Sequence, residues 1–467
     1  MRLEASQVFY GEIPEPETEA AEYPADLNER TMKERLDKVL RAMRGDNLDF
    51  LFIYADREHG GNFGYLTGFE PRFEEAVLVL HGNGQAYFLL GNENLKMAQY
   101  ARISAEAIHV PHFSLPNQPM DTESTLEQLI QKAGISEGMK GGTAGWKMFN
   151  SSLEDNEKLF DIPGFLVDAL KRVIGEAGKL RNKTALFIHP DNGVRICVNA
   201  NEAAFYEYGA SQAAACIKRV LDHLEPGKTE MELARYLNAD GQPLSVQTIC
   251  ASGKRFTNGV IAPRNKRVER GEAFSATMGL RGGLTCRAGV VAGGKNELPA
   301  AQEQYLERVA KPYFSAVAAW YSAVRIGALG GEIYQAIEKS APKQIYGWYL
   351  NPGHLTATEE WISSPFYPNS AAVLKSGMML QMDIIFSVPG YPGINGEDGI
   401  LLADQELRTQ IREQYPGLWE RIQKRRNYMT EILGIPISEE VLPLSGLCGY
   451  LRPYLLARGK ALYLRKS

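Results

Sequence analysis

Cysteine and histidine are both scarce in this sequence: 467 residues contain five of the first and seven of the second. The cysteines (Cys197, Cys216, Cys250, Cys286 and Cys448) are odd in number, widely spaced and free of any CxxC pair. That pattern argues against a four-cysteine zinc site and a disulfide framework, and for reduced thiols in a cytoplasmic protein. No segment approaches the roughly 18 consecutive apolar residues of a membrane span. The opening residues lack a charged stretch followed by an apolar run, so no secretory leader is expected. No basic block stands out either. With 51 basic against 56 acidic residues and a net charge of -5, the chain lacks the electrostatic footprint of nucleic-acid binding. One absence is local: "AFSATMGLRGGLTCRAGVVAGGK", from Ala273 to Lys295, contains neither Asp nor Glu.

What is present describes a globular protein of mixed α/β (α+β) class. At 44% hydrophobic residues and this length, two domains with a sizeable core are expected. Residues 1–30, acidic and proline-bearing, read as an arm that becomes ordered only by lying on something else. From Thr31 to Arg44 a helical period places Leu36, Val39, Leu40 and Met43 on one face. "LDFLFIYAD", "EAVLVLHGNGQAYFLL" and "EAIHVPHF" then read as strands, the second broken by a turn at Gly82-Asn83-Gly84. These interleave with helices to give an α/β domain over 31–185. From about 190 onward a long alanine-rich helix leads to Pro226-Gly227, and Thr229 is the expected N-cap of the next helix. Strands follow near Val246–Ala251 and Ala273–Gly279, then a helical stretch over 300–324 with a break at Pro312. A helix over 331–339 comes next, and strands resume at "GMMLQMDIIF" and "GILLAD".

Several words of the sequence, in their order, resemble the creatinase/Xaa-Pro peptidase family: "FGYLTGF" in the first half, then "LEPGKTEMELA", "ICASGKRFTNGVIAPRNKRVERGEAF", "PGH", "LKSGMMLQMDIIF" and "NGEDGILLAD". The resemblance covers about 31–404. It implies a creatinase-like N-terminal α/β domain followed by a pita-bread domain over 190–467 that ends in a C-terminal extension, and a homodimer. Members that are metallopeptidases hold two divalent ions with two Asp, one His and two further acids, and the ions activate a water. Carried over residue by residue, three of these places are filled, by His354, Asp383 and Glu397. The other two fall on Thr277, in "TMG", and Leu284, three residues before Arg287. The accessory histidines are missing too: Leu350 stands four before His354, Trp361 stands after it, and Val260 and Ile261 lie where another is expected. Strand alternation puts Gln381, Asp383 and Ile385 on one face of their strand.

Three readings follow. The first is a pseudo-peptidase that binds a small molecule or short peptide and carries no metal. The second is a metal-independent, creatinase-like C–N hydrolase using His354, Glu359, Glu360 and Glu397. The third is a hydrolase with one divalent ion on His354, Asp383 and Glu397. His354 and Glu397 are the catalytic candidates, and Asp383, Arg287, Glu359 and Glu360 the binding candidates. In the blandest case Asp383 and Glu397 are structural acids paired with Arg287. Cys286 beside Arg287 invites a nucleophile reading, set against simple packing. The cluster Lys254, Arg255, Arg264, Lys266 and Arg267 reads as a solvated loop rather than an anion site. Whether the chain is an enzyme stays open on the residues alone.

Overall fold

The structure, a computed structural model, describes residues 4–71, 73–258 and 261–465; Val260 lies outside them. The chain divides into two units. One is Leu27–Arg195; the other joins the arm, up to Asp26, to the chain from Ile196 onward. No helix among the described residues is long and apolar enough to cross a membrane.

The Leu27–Arg195 unit is built on a six-stranded mixed sheet. Its central strand, Phe50–Ala55, is buried along its whole length, as its unbroken apolar run requires. It pairs antiparallel with Ala76–His81 and parallel with Lys140–Ala144. The expected turn closes the hairpin to Ala86–Leu90, with Gly84 at φ 91°. The helix Glu29–Gly45 starts where Asn28 accepts a hydrogen bond from the Thr31 amide. Its buried stripe differs from the expected one. Met32, Arg35, Val39 and Met43 face inward while Leu36 and Leu40 are half-buried. The reason is Arg35, whose guanidinium lies 4.5 Å from the Tyr65 ring centroid and donates to the Tyr65 carbonyl. A stacked, hydrogen-bonded arginine takes an inward position that an apolar period assigns to leucine.

In the other unit the helix Ala200–His223, capped by a reciprocal Asn199–Glu202 pair, packs on one face of a seven-stranded antiparallel sheet. Ala213, Cys216, Ile217 and Val220 meet Phe274, Ala276, Met278 and Leu280 there. Helix and sheet approach closely at Gly209, where a Cβ would collide with the Arg281 carbonyl, in the tight turn between strands Ala273–Leu280 and Gly283–Val290. Glu207 on the same helix is fully buried between Arg421 and Arg425 of the helix Pro416–Asn427, at 2.7 Å from each. Thr229 caps Glu230–Ala234 as expected. Pro312 sits in the first turn of Lys311–Ala323, just after a π-helical turn at Leu306–Ala310, so it starts that helix rather than breaking one.

The arm belongs to this unit. Val8–Glu12 pairs antiparallel with Lys460–Leu464, Glu15 meets Lys218 at 2.6 Å, and Glu19 meets Lys424 at 2.8 Å. The C-terminal extension is covered within the unit as well. Val441–Pro443 extends the sheet from Asn395–Leu402, and Leu447, Tyr450 and Leu455 enter the core against the long helix.

Candidate functional site

The sheet brings the sequence-predicted residues into register. Its order runs from His354–Leu355 through Met379–Asp383, Asn395–Leu402, Gly283–Val290 and Ala273–Leu280 to Ile249–Ser252. Directly opposed residues on neighbouring strands share a face. The pairs Asp383–Glu397, Glu397–Cys286 and Cys286–Thr277 therefore form one row across four strands, with His354 opposite Gln381 on the outer pair. Leu284 pairs with Gly279 and, by alternation, lies on the same face.

His354 is completely buried, and its Nε2 lies 3.2 Å from Glu397 Oε1 and 3.4 Å from Glu360 Oε1. The indole of Trp361 stacks on its ring at 4.1 Å and 21°, and is itself 38% exposed. Gln381 donates to the Leu284 carbonyl at 2.8 Å and to Glu397 Oε1 at 3.3 Å. Asp383 Oδ1 is buried without a hydrogen-bond partner. Burial, reinforced by the charge of Glu397, pushes the Asp383 carboxyl well above its ordinary range, with His354 opposing. Burial and then Glu360 do the same to Glu397. Crowded carboxylates with too few compensating donors hold protons, and a cation among them reverses that preference. The ligand atoms of His354, Glu360 and Glu397 all lie within 4.8 Å of one another.

Three expectations change here. The converging trio takes Glu360, from the loop after His354, where the one-ion reading placed Asp383, whose carboxyl stands beside the trio with one oxygen unpaired. Glu359 contributes its backbone carbonyl, which accepts from the Thr356 hydroxyl and the Ala357 amide to close the turn. Arg287 is not brought to the cluster and does not pair with Asp383 or the Glu397 carboxylate. Alternation turns it to the other face, where it pairs with Asp398 at 2.6 Å, donates to the Tyr450 carbonyl at 2.8 Å and reaches the Leu447 carbonyl. Glu397 offers it only a backbone oxygen, at 3.3 Å.

Cys286 lies in the row, but burial pushes its thiol up to about 12, with Thr277 and Arg287 opposing and Glu397 and Asp383 adding to the rise. A thiol held protonated by burial is a poor nucleophile at neutral pH. Iodoacetamide should leave Cys286 unmodified in the folded protein while labelling it readily in denaturant. Peptide mass spectrometry reads this directly, and rapid native labelling would restore the nucleophile reading. In the basic loop Arg255 is held by the buried Glu230 at 3.1 Å, and Lys266 by Glu272 at 2.7 Å.

A mixed α/β unit joined to a unit in which one helix-backed antiparallel sheet carries an imidazole and carboxylates across its strands is the two-domain architecture of the pita-bread peptidases. Residues 205–404 match the profile of metallopeptidase family M24, so the second unit contains a domain of that family. Among solved structures, the prolidase of Thermococcus sibiricus is similar at TM-score 0.64 and 18% identity, over 81% of this chain and 96% of that one. An Xaa-Pro dipeptidase from Bacillus anthracis gives 0.60 and 16%, over 80% and 96%. An X-Pro aminopeptidase from Thermotoga maritima gives 0.60 and 14%, over 79% and 95%. At these identities the likeness establishes the fold. No curated protein sequence matches significantly.

Proposed function

We propose that this chain is a pseudo-peptidase: an M24 scaffold that binds a small molecule or short peptide at the His354 cluster and does not run two-metal peptide hydrolysis. The observation that carries this reading is the row Thr277–Cys286–Glu397–Asp383. Two divalent ions need hard oxygen donors from both halves of the sheet. One half supplies a hydroxyl, a buried thiol rather than a hard oxygen and, at Leu284, an isobutyl group. The residues present therefore do not fit a dinuclear centre. The assay that tests the reading is hydrolysis of an Xaa-Pro dipeptide with manganese or cobalt added. Chelator-sensitive turnover typical of a dinuclear enzyme would refute it.

A second reading is favoured by the convergence of His354, Glu360 and Glu397. An imidazole and two carboxylates fit a single divalent ion, which when bound would supply a Lewis acid and an activated water. In that case Gln381 orients Glu397 through its amide, and Trp361 excludes water from the imidazole face. The metal-independent hydrolase reading uses the same groups, with His354 Nε2 placed to exchange a proton with either glutamate. Association as a homodimer is part of the proposal and rests on the family resemblance alone.

A further inference from the structure

Three buried phenol hydroxyls without a hydrogen-bond partner, those of Tyr10, Tyr305 and Tyr454, gather at one place. Their rings pack edge to face, Tyr10 on Tyr454 at 5.6 Å and Tyr305 on Tyr454 at 6.0 Å. Long-range pairing pins them there. Tyr10 lies in Val8–Glu12, which pairs with Lys460–Leu464, and the residues flanking Tyr454 bond through their backbone to Val290, at the end of its strand. Tyr454 is 2% exposed, and with Tyr10 it lines a cavity of about 710 Å³. That volume is in the range of small-molecule sites and is far more than one water fills. Leu306 and Glu307, in the π-helical turn Leu306–Ala310, form part of its wall. Such departures from α-helical bonding are frequent at functional sites.

The lining is short of acceptors. Burial pushes the Tyr10 phenol up to about 12 and, with Glu307 adding to the rise, holds the Tyr454 phenol above its ordinary range. Both therefore keep their protons at neutral pH and can donate. Two of the lining carboxylates are already taken up. Glu297 accepts from the Gly293 amide and pairs with Arg270 at 2.7 Å, and Glu307 pairs with Lys311 at 2.6 Å. Among the lining charges, Lys295 and Lys460 then stand against Glu303 alone. Buried polar groups are satisfied by protein, water or ligand. A ligand oxygen that carries negative charge accepts from the phenols and also meets the two ammonium groups, whereas an amine would bring further donors to a place that lacks acceptors.

We propose that this cavity is a second binding site and takes a small organic oxyanion, a carboxylate or a phosphate monoester. Tyr10 and Tyr454 donate to its oxygens, and Lys295 and Lys460 supply the opposing charge. The site shares no residue with the His354 cluster and does not depend on which reading of that cluster stands.

Titration calorimetry of the full chain with benzoate and phenyl phosphate, and with benzyl alcohol as the neutral control, tests it. At least one of the two anions should bind saturably, and the comparison between them tells a carboxylate site from a phosphate site. Benzyl alcohol should bind at least about tenfold more weakly, as expected when hydrogen bonds to a charged group are lost. Tyr454→Phe deletes only a hydroxyl that bonds nothing in the protein. It should leave the unfolding temperature of the ligand-free protein unchanged or raised, and lower affinity for the anion by about tenfold. Lys460→Met, at an exposed position, should lower affinity several-fold and keeps the test decisive if Tyr454→Phe does not fold. Glu360→Gln, in the other cluster, should leave anion binding unchanged. No saturable binding of either anion, equal binding of benzyl alcohol, or unchanged affinity in Tyr454→Phe overturns the proposal. So does a loss in Glu360→Gln that Tyr454→Phe does not share, which would move the anion to the His354 cluster.

Discussion

Supplied with manganese or cobalt, the purified protein is expected to hydrolyse Xaa-Pro dipeptides roughly 10⁴-fold or more below the rate of a dinuclear enzyme of the same fold. The magnitude follows from what the row of side chains lacks. Removing one preorganised group that stabilises charge in a transition state costs roughly 10²–10³ in rate. By the resemblance two acid places fall on Thr277 and Leu284, and Cys286, the residue across from Thr277, is a buried thiol. The imidazoles expected around the substrate are absent as well, with Leu350 and Trp361 where the resemblance puts histidines. Even independent losses at two ligands reach that figure, before the second ion's own contribution is counted. Initial rates with and without chelator, normalised to a prolidase control, measure it. A rate within about tenfold of the control would mean that the carboxylates come from elsewhere in the chain.

Glu207→Ala is expected to lose about 3–5 kcal/mol of stability, a large effect for a single substitution, because it leaves buried arginines without their partner. Arg425 links three parts of the unit. Besides Glu207 it donates to the Glu19 carbonyl of the arm and to the Leu444 carbonyl of the C-terminal extension. Losing the carboxylate therefore loosens the long helix, the arm and the extension together. Glu207→Gln keeps the shape and one acceptor and should lose less. Burial alone raises the Glu207 pKa, but Arg425 and Arg421 outweigh it and hold the carboxyl below its ordinary range. A folded pKa below the unfolded one contributes stability above the unfolded pKa and loses it as pH falls through the folded value. Denaturant unfolding across acidic pH should show the wild type converging toward Glu207→Gln at low pH. Equal stability of Glu207→Ala and wild type at pH 7 would contradict this role for Glu207.

Much of the architecture was legible because local signals agreed with the fold. The apolar run at Phe50–Ala55 became a doubly buried strand and Thr229 became a cap, while the words around Ile249–Ser252, His354–Leu355, Met379–Asp383 and Asn395–Leu402 became strands of one sheet. What the sequence could not show depended on contacts between distant residues or on single rotations. Val8–Glu12 pairs with Lys460–Leu464, and nothing local marks a strand whose partner is at the other end of the chain. In the first helix, an arginine stacked on Tyr65 displaced the leucines from the inward stripe. At the site, alternation placed Asp383 on the correct face but could not decide whether Glu359 or Glu360 turns inward from an irregular loop. Arg287 follows the same logic: its neighbour Cys286 lies in the row, so Arg287 must point away, and Asp398 rather than Glu397 follows as its partner.

The central claim, that this sheet no longer carries a two-metal centre, is tested most directly by elemental analysis of protein purified without chelator. Well under two metal equivalents per chain are expected, and close to none after dialysis, because the half of the site at Thr277, Leu284 and Cys286 offers no carboxylate to a second ion. About one equivalent, lost in His354→Ala, would favour the single-ion reading over the pseudo-peptidase. Two tightly held ions per chain would contradict the claim.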